Sequence, residues 1–149
     1  MLAHGETVYI LDVIRARLDY PDLRRAVMFQ HGRWGQTPAA AYSLLIEKMG
    51  AGLSLIQDLQ RENIYAVGID PDGDKLIRME AQTTRIEAGA VHLPINAPWL
   101  DEFKKEVLSF PKGRHDDQVD ALSQGLQRVA FLRRPSPPVQ STWSRHRRR

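Results

Sequence analysis

Three carboxylates fall within five positions near the C-terminal end, in Gly113-Arg114-His115-Asp116-Asp117-Gln118-Val119-Asp120-Ala121. Aspartates three and four apart share a side of a helix and repel one another. Local structure does not favour such a group. Something positive must offset it: the helix dipole, Arg114 and His115, or a bound cation. Hard divalent cations such as Mg2+ take carboxylate oxygens and need only one or two of them from protein. The plainer reading of any single one of these acids is a cap, or a first-turn acid favoured by the dipole. Another acid, Glu47, ends the apolar run Ala41-Tyr42-Ser43-Leu44-Leu45-Ile46 and is followed by Gly50, Ala51 and Gly52. Open α/β sheets carry function at such strand ends, before the turn into a helix. Its plainer reading is a solvated glutamate that pairs with Lys48.

These acids need elements to position them. Val119, Leu122, Leu126, Val129 and Ala130 recur at helical spacing, which predicts a helix over 116–131, introduced by a loop with Pro111 and Gly113. Residues 7–13, Thr-Val-Tyr-Ile-Leu-Asp-Val, read as a strand, with Gly5 and Glu6 as a turn before it. That arrangement resembles the second half of a hairpin whose first half is missing. A helix is expected over 20–30, with Pro21 in its first turn. Strands are expected at 43–46 and 64–69, and a short one at 91–93. Helices are expected over 53–62, 74–88 and from Pro98 to about residue 110. Gly89 stands where a helix C-terminus favours glycine. Alternating strands and helices argue an α/β fold with a mostly parallel sheet.

With 149 residues the chain is sized for one domain and a respectable core. Hydrophobic residues make up 42% and charged residues 26%, ordinary for a globular protein. The absence of cysteine excludes a disulfide framework and a thiolate metal site. The apolar runs are too short to span a bilayer as helices. No basic segment followed by an apolar one opens the chain, so no signal peptide is expected. The formal charge of +3 conceals an asymmetry. Residues 133–149 hold six of the 21 basic side chains and no acid, which leaves 15 against 18 acids in the rest, a net of −3. This segment, rich in Arg, Pro and Ser, is expected to be a disordered basic tail after a domain spanning 1–132. Such a tail either attracts phosphate backbones without reading sequence or is simply a solvated end, two readings of about equal weight. Lys75, Arg78 and Arg85 on the 74–88 helix are further candidates to face DNA phosphates, with coating a surface helix as the plainer reading.

Several segments, in order, resemble the C-terminal nuclease domain of the large terminase subunit of tailed phages and prophages. They include Tyr9-Ile10-Leu11-Asp12-Val13, Leu45-Ile46-Glu47-Lys48, Asp74-Lys75, Arg78-Met79, Ile86-Glu87-Ala88-Gly89, Ala97-Pro98-Trp99-Leu100 and the run from Phe110-Pro111 to Ser123-Gln124. Together they cover roughly 7–130.

The resemblance implies an RNase H-like fold, a mixed sheet flanked by helices. It implies cutting of double-stranded concatemeric DNA during genome packaging, with acids that hold two Mg2+ or Mn2+ ions. It places the second catalytic acid at Glu47 and the third in the Asp116-Asp117 doublet, with Asp120 as a neighbouring metal ligand and His115 in support. The candidate DNA-contacting set, read from charge alone, is Lys75, Arg78, Arg85 and Arg114, joined by Arg145, Arg147 and Arg148 of the tail. The partners implied are the terminase ATPase domain, the small terminase subunit and the portal protein, in the cytoplasm of a bacterial host. The first aspartate of the pattern belongs to a strand ahead of residue 7, which is expected to be missing here. Asp12 falls on the second strand and is not its equivalent. No Gly-x-x-x-x-Gly-Lys-Ser/Thr phosphate loop occurs. The isolated chain is therefore expected to cut weakly or not at all. The open sheet edge is expected to invite pairing with a second copy. The alternatives are an inactive prophage remnant or DNA- or partner-binding accessory module, and another RNase H-like nuclease related to resolvases or transposases.

Overall fold

A computed structural model describes residues 1–35, 44–70 and 73–132. The expectations for the basic tail, including Arg145, Arg147 and Arg148, and for Ser43 lie outside the described residues.

The chain opens on a hairpin. Strand β1 (Leu2–His4) pairs antiparallel with β2 (Thr7–Tyr9), Ala3 opposite Val8. Gly5 takes φ 51 in the two-residue turn, a left-handed conformation that favours glycine. The hairpin expected to lack its first half thus has one, three residues long and without a carboxylate. Strand β2 is shorter than the expected 7–13. Its parallel partner β5 (Val91–His92) ends where Leu93-Pro94 follows, and proline cannot donate to a ladder. Beyond a last ladder bond from Ile10 N–H to the His92 carbonyl, Asp12 turns to α1 (Tyr20–Trp34), where Gln30 and Arg33 donate to it. Helix α1 starts at Asp19, whose side chain accepts from the Asp22 N–H, and runs a turn beyond its expected end.

A second sheet joins β3 (Leu44–Glu47) and β4 (Ala66–Ile69) in parallel, Glu47 opposite Ile69, with α2 (Ala51–Arg61) as the crossover. One mixed sheet was expected. Among the described residues there are two, a mixed one in order β1-β2-β5 and the parallel pair, with no hydrogen bond between them. The chain is α/β, and α3 (Lys75–Glu87), α4 (Leu100–Ser109) and α5 (Asp117–Leu132) complete five helices among the described residues.

Two cores correspond to the two sheets. Val8, Ile10, Phe103, Leu122 and Leu126 form one, so the face of α5 behind the acids is buried against β2 and α4. Leu55, Leu59 and Ala66 form the other, covered by Leu23, Val27 and Met28 of α1. Truncating a fully buried leucine such as Leu126 to alanine costs about 2–5 kcal/mol. The first core therefore fixes where the N-terminus of α5 lies.

Candidate functional site

The site builds on α5. Its orphan N-terminal N–H groups need an acceptor, and the expected cap was an aspartate of the doublet. The structure uses Glu106 instead. This α4 carboxylate, only 6% exposed, accepts from the backbone N–H of Gln118 at 2.6 Å and from its side-chain amide at 2.7 Å. Arg15 approaches the same carboxylate at 3.7 Å. The Asp116 backbone carbonyl accepts from the Asp120 N–H, and the Asp116 side chain is left for other work.

Two cations from α3, which packs along α5, take up that work. The Lys75 ammonium lies 3.1 Å from Asp116 Oδ2 and 2.6 Å from Asp120 Oδ2. Arg78 pairs with Asp120 Oδ1 and donates through Nε to Ser123 Oγ at 3.0 Å. The hydrogen bonds that Lys75 donates, to Asp120 first and Asp116 second, hold its pKa above the ordinary value. The positive charge required by the clustered aspartates is thus supplied within the fold. Arg85 donates to the Leu126 carbonyl at 3.3 Å. Lys75, Arg78 and Arg85, the cations expected to face DNA, are all turned toward α5. Arg114 and His115 are exposed in the loop before the helix.

Asp117 points elsewhere. It lines a cavity of about 400 Å³ with Asp12, Arg15, Phe103, Gln118 and Leu122. Asp12 and Asp117 therefore share a cavity, although Asp12 is also tied to Arg33 at 3.2 Å.

Glu47 sits at the end of β3, where the chain turns into α2 through Gly50 at φ 52. Gly52 is needed there, because a Cβ on it would meet the Glu47 carbonyl oxygen at 1.9 Å. Lys48 pairs with Asp70 at 2.6 Å, so the solvated Glu47–Lys48 pair of the plainer reading does not form. Instead Glu47 Oε1 accepts from the side-chain amide of Gln124 at 2.6 Å. Gln124 lies four residues after Asp120, one turn on along the same side of α5. Glu47 was expected near the start of the last helix; it meets it about 6 Å along the axis from Asp120 and about 10.5 Å from Asp117, at 1.5 Å per residue.

Sequence reading missed Glu106 and Gln124. Glu106 stands in phase with Leu100 and Phe103, a carboxylate on the buried stripe of α4, which was its signal. Gln124 has the same i+4 relation to Asp120 that the acids have to one another.

As a donor set these residues suit a hard divalent cation: carboxylate oxygens, with no sulfur in the chain's acidic cluster and no cysteine anywhere. Among the described residues, no three acidic or imidazole groups are gathered so that they could hold a metal ion. Glu47 reaches α5 one turn beyond Asp120, and Asp117 shares its cavity with Asp12.

Comparison with known proteins gives one match. A family model described as terminase RNaseH-like domain matches residues 36–128, a stretch that contains Glu47, Lys75, Asp116, Asp117 and Asp120. No curated protein matches the chain, and no solved structure does.

Proposed function

The chain belongs to the terminase RNaseH-like domain family, and from that premise we propose that it is the metal-dependent endonuclease domain of a phage or prophage large terminase subunit. Its substrate in this reading is concatemeric double-stranded DNA, cut as a genome is packaged in the cytoplasm of the bacterial host. The observation that carries the reading is the Gln124–Glu47 hydrogen bond. It brings the acid at the end of β3 to α5 one turn beyond Asp120, on the helix that opens with Asp117.

In this reading Glu47 and Asp117 are the principal ligands of Mg2+ or Mn2+, with Asp116 and Asp120 beside them. Two such ions, when bound, activate the attacking water and stabilise charge on the leaving oxygen. Few protein carboxylates are needed, because substrate phosphates complete the coordination of a hard cation. Gln124 holds the Glu47 carboxylate toward α5. Glu106 secures the first turn of α5 and so the direction of Asp117. Arg78 and Lys75 neutralise Asp120 and Asp116, which lowers the repulsion an approaching DNA phosphate meets. Arg114, exposed beside the acids, is placed to contact the backbone, with the arginines of residues 133–149 as a longer-range attractor. The ATPase domain, the small terminase subunit and the portal protein are the partners in that role, and a second copy is the partner suggested by exposed strand edges. No helix among the described residues is long and apolar enough to cross a membrane.

A second reading, a DNA- or partner-binding module that does not cut, draws on the neutralised state of Asp116 and Asp120 and on the absence of a carboxylate from β1. Plasmid nicking in Mn2+ separates the two. The 149-residue chain should nick little. The same chain given an added N-terminal strand that carries an aspartate should cut, and Asp117→Asn and Glu47→Gln should each abolish the cutting. No cutting by the extended chain, or cutting indifferent to both substitutions, would favour the non-cutting module.

A further inference from the structure

Lys75 bridges two carboxylates that would otherwise repel one turn apart on α5. Its surroundings divide into two layers. The inner layer is closed: the side chains of Arg78 and Asp120 are 12% and 14% exposed, and Arg78 is held again by Ser123. The outer layer is open: the side chains of Lys75 and Asp116 are 46% and 41% exposed. The ammonium can therefore leave while Asp120 keeps Arg78 as its partner. A lysine ammonium is a compact point charge on a long stem with three rotatable donors, suited to such exchange in a way that a bidentate guanidinium is not. Oxygens that hold an ammonium at hydrogen-bond distance are also the oxygens a hard cation takes.

We propose that Lys75 is an exchangeable resident counter-cation. It positions Asp116 and Asp120 while no metal is bound, and competes with a divalent cation for the α5 carboxylates. Lys75 thereby sets how tightly the site binds metal, without touching the scissile bond. This rests on the metal reading given above. Helix α3 then has two roles. Arg78 and Arg85 fix it to α5, and Lys75 tunes the charge of the face that α5 presents.

Calorimetric titration of Mn2+ into the full chain tests this without reference to cutting. An exposed ion pair has a modest worth, so Lys75→Gln should bind Mn2+ roughly two- to five-fold tighter than the unsubstituted chain. Lys75→Arg, whose guanidinium gives up the carboxylates less readily, should bind Mn2+ more weakly than the unsubstituted chain. In an Asp116→Asn background the Lys75→Gln effect should shrink, because one of the two competing carboxylates is gone. Without metal, Lys75→Gln should melt lower than the unsubstituted chain, and saturating Mn2+ should close that gap, which loss of a merely structural ion pair would not produce. Unchanged or weaker binding in Lys75→Gln overturns the proposal. If Asp117→Asn still weakens binding in that case, the metal reading survives and only the role of Lys75 falls. If neither the unsubstituted chain nor Lys75→Gln binds Mn2+, both fall.

Discussion

Gln124, in the middle of the last helix, donates its side-chain amide to Glu47 at the end of β3, 2.6 Å away across 77 residues of sequence. This bond links the smaller, parallel sheet to the helix that carries the aspartates. Replacing Gln124 with leucine leaves a part-buried carboxylate without its donor, at a cost of about 1–3 kcal/mol. Urea denaturation reads that loss. The same substitution should reduce the stabilisation gained from Mn2+, because Glu47 is no longer held toward α5.

Glu106 is the acceptor on which the start of α5 depends. Glu106→Ala strands the Gln118 N–H and its side-chain amide in a buried place, so a loss of about 2–4 kcal/mol is expected from unsatisfied groups. Glu106→Gln keeps the shape and one acceptor, and should cost less. Equal stability of all three proteins in urea would mean that the α5 N-terminus has another cap.

Gly52 marks the tightest approach in the turn after Glu47. Gly52→Ala forces either α2 or the strand end to move, and overpacking of that kind costs about 1–3 kcal/mol. A tolerated alanine, with unchanged melting temperature, would show that the turn relaxes freely.

The Tyr20–Asp58 hydrogen bond, which ties α1 to α2, makes stability depend on pH at both extremes. The Tyr20 hydroxyl, assisted by Arg61 and Arg24, holds the Asp58 carboxyl below its ordinary value. A lowered carboxyl contributes stability above that ordinary value and loses it as pH falls through the lowered one. The same bond raises the Tyr20 hydroxyl. A raised group contributes stability below its ordinary value and loses it as pH rises through the raised one. Tyr20→Phe should therefore melt lower than the unsubstituted chain near neutrality, and the difference should narrow in strong acid and again in strong base. A difference constant across pH would remove Asp58 as the cause.

Much of this arrangement was legible from periodicity. The helix carrying Val119, Leu122 and Leu126 starts and buries its apolar face as its spacing requires, and the crossover from β3 through α2 to β4 follows its glycine turn. Sheet extent was not legible. Residues 7–13 have strand composition throughout, but pairing stops after Ile10 because Pro94 ends the partner and Asp12 finds side-chain donors on α1. The candidate acids stood out in the sequence, and the side chains that pair with them did not. Lys75, Arg78 and Arg85 look like a surface stripe in sequence, and only the packing of α3 on α5 turns them inward. Glu106 and Gln124 act across 12 and 77 residues, so local pattern, which marks Glu106 as buried, does not show what either side chain binds.

The central claim is that Glu47 and Asp117, from separate elements, both serve one divalent-metal centre. Thermal unfolding with and without Mn2+ tests it most directly, on the unsubstituted chain, Glu47→Gln and Asp117→Asn. A ligand that binds only the folded state stabilises by about 2.7 kcal/mol at 100 times its Kd. The account predicts a clear upward shift in the melting temperature of the unsubstituted chain with Mn2+, and loss of most of that shift in each variant. A full shift retained in either variant, or no shift in the unsubstituted chain, would contradict it.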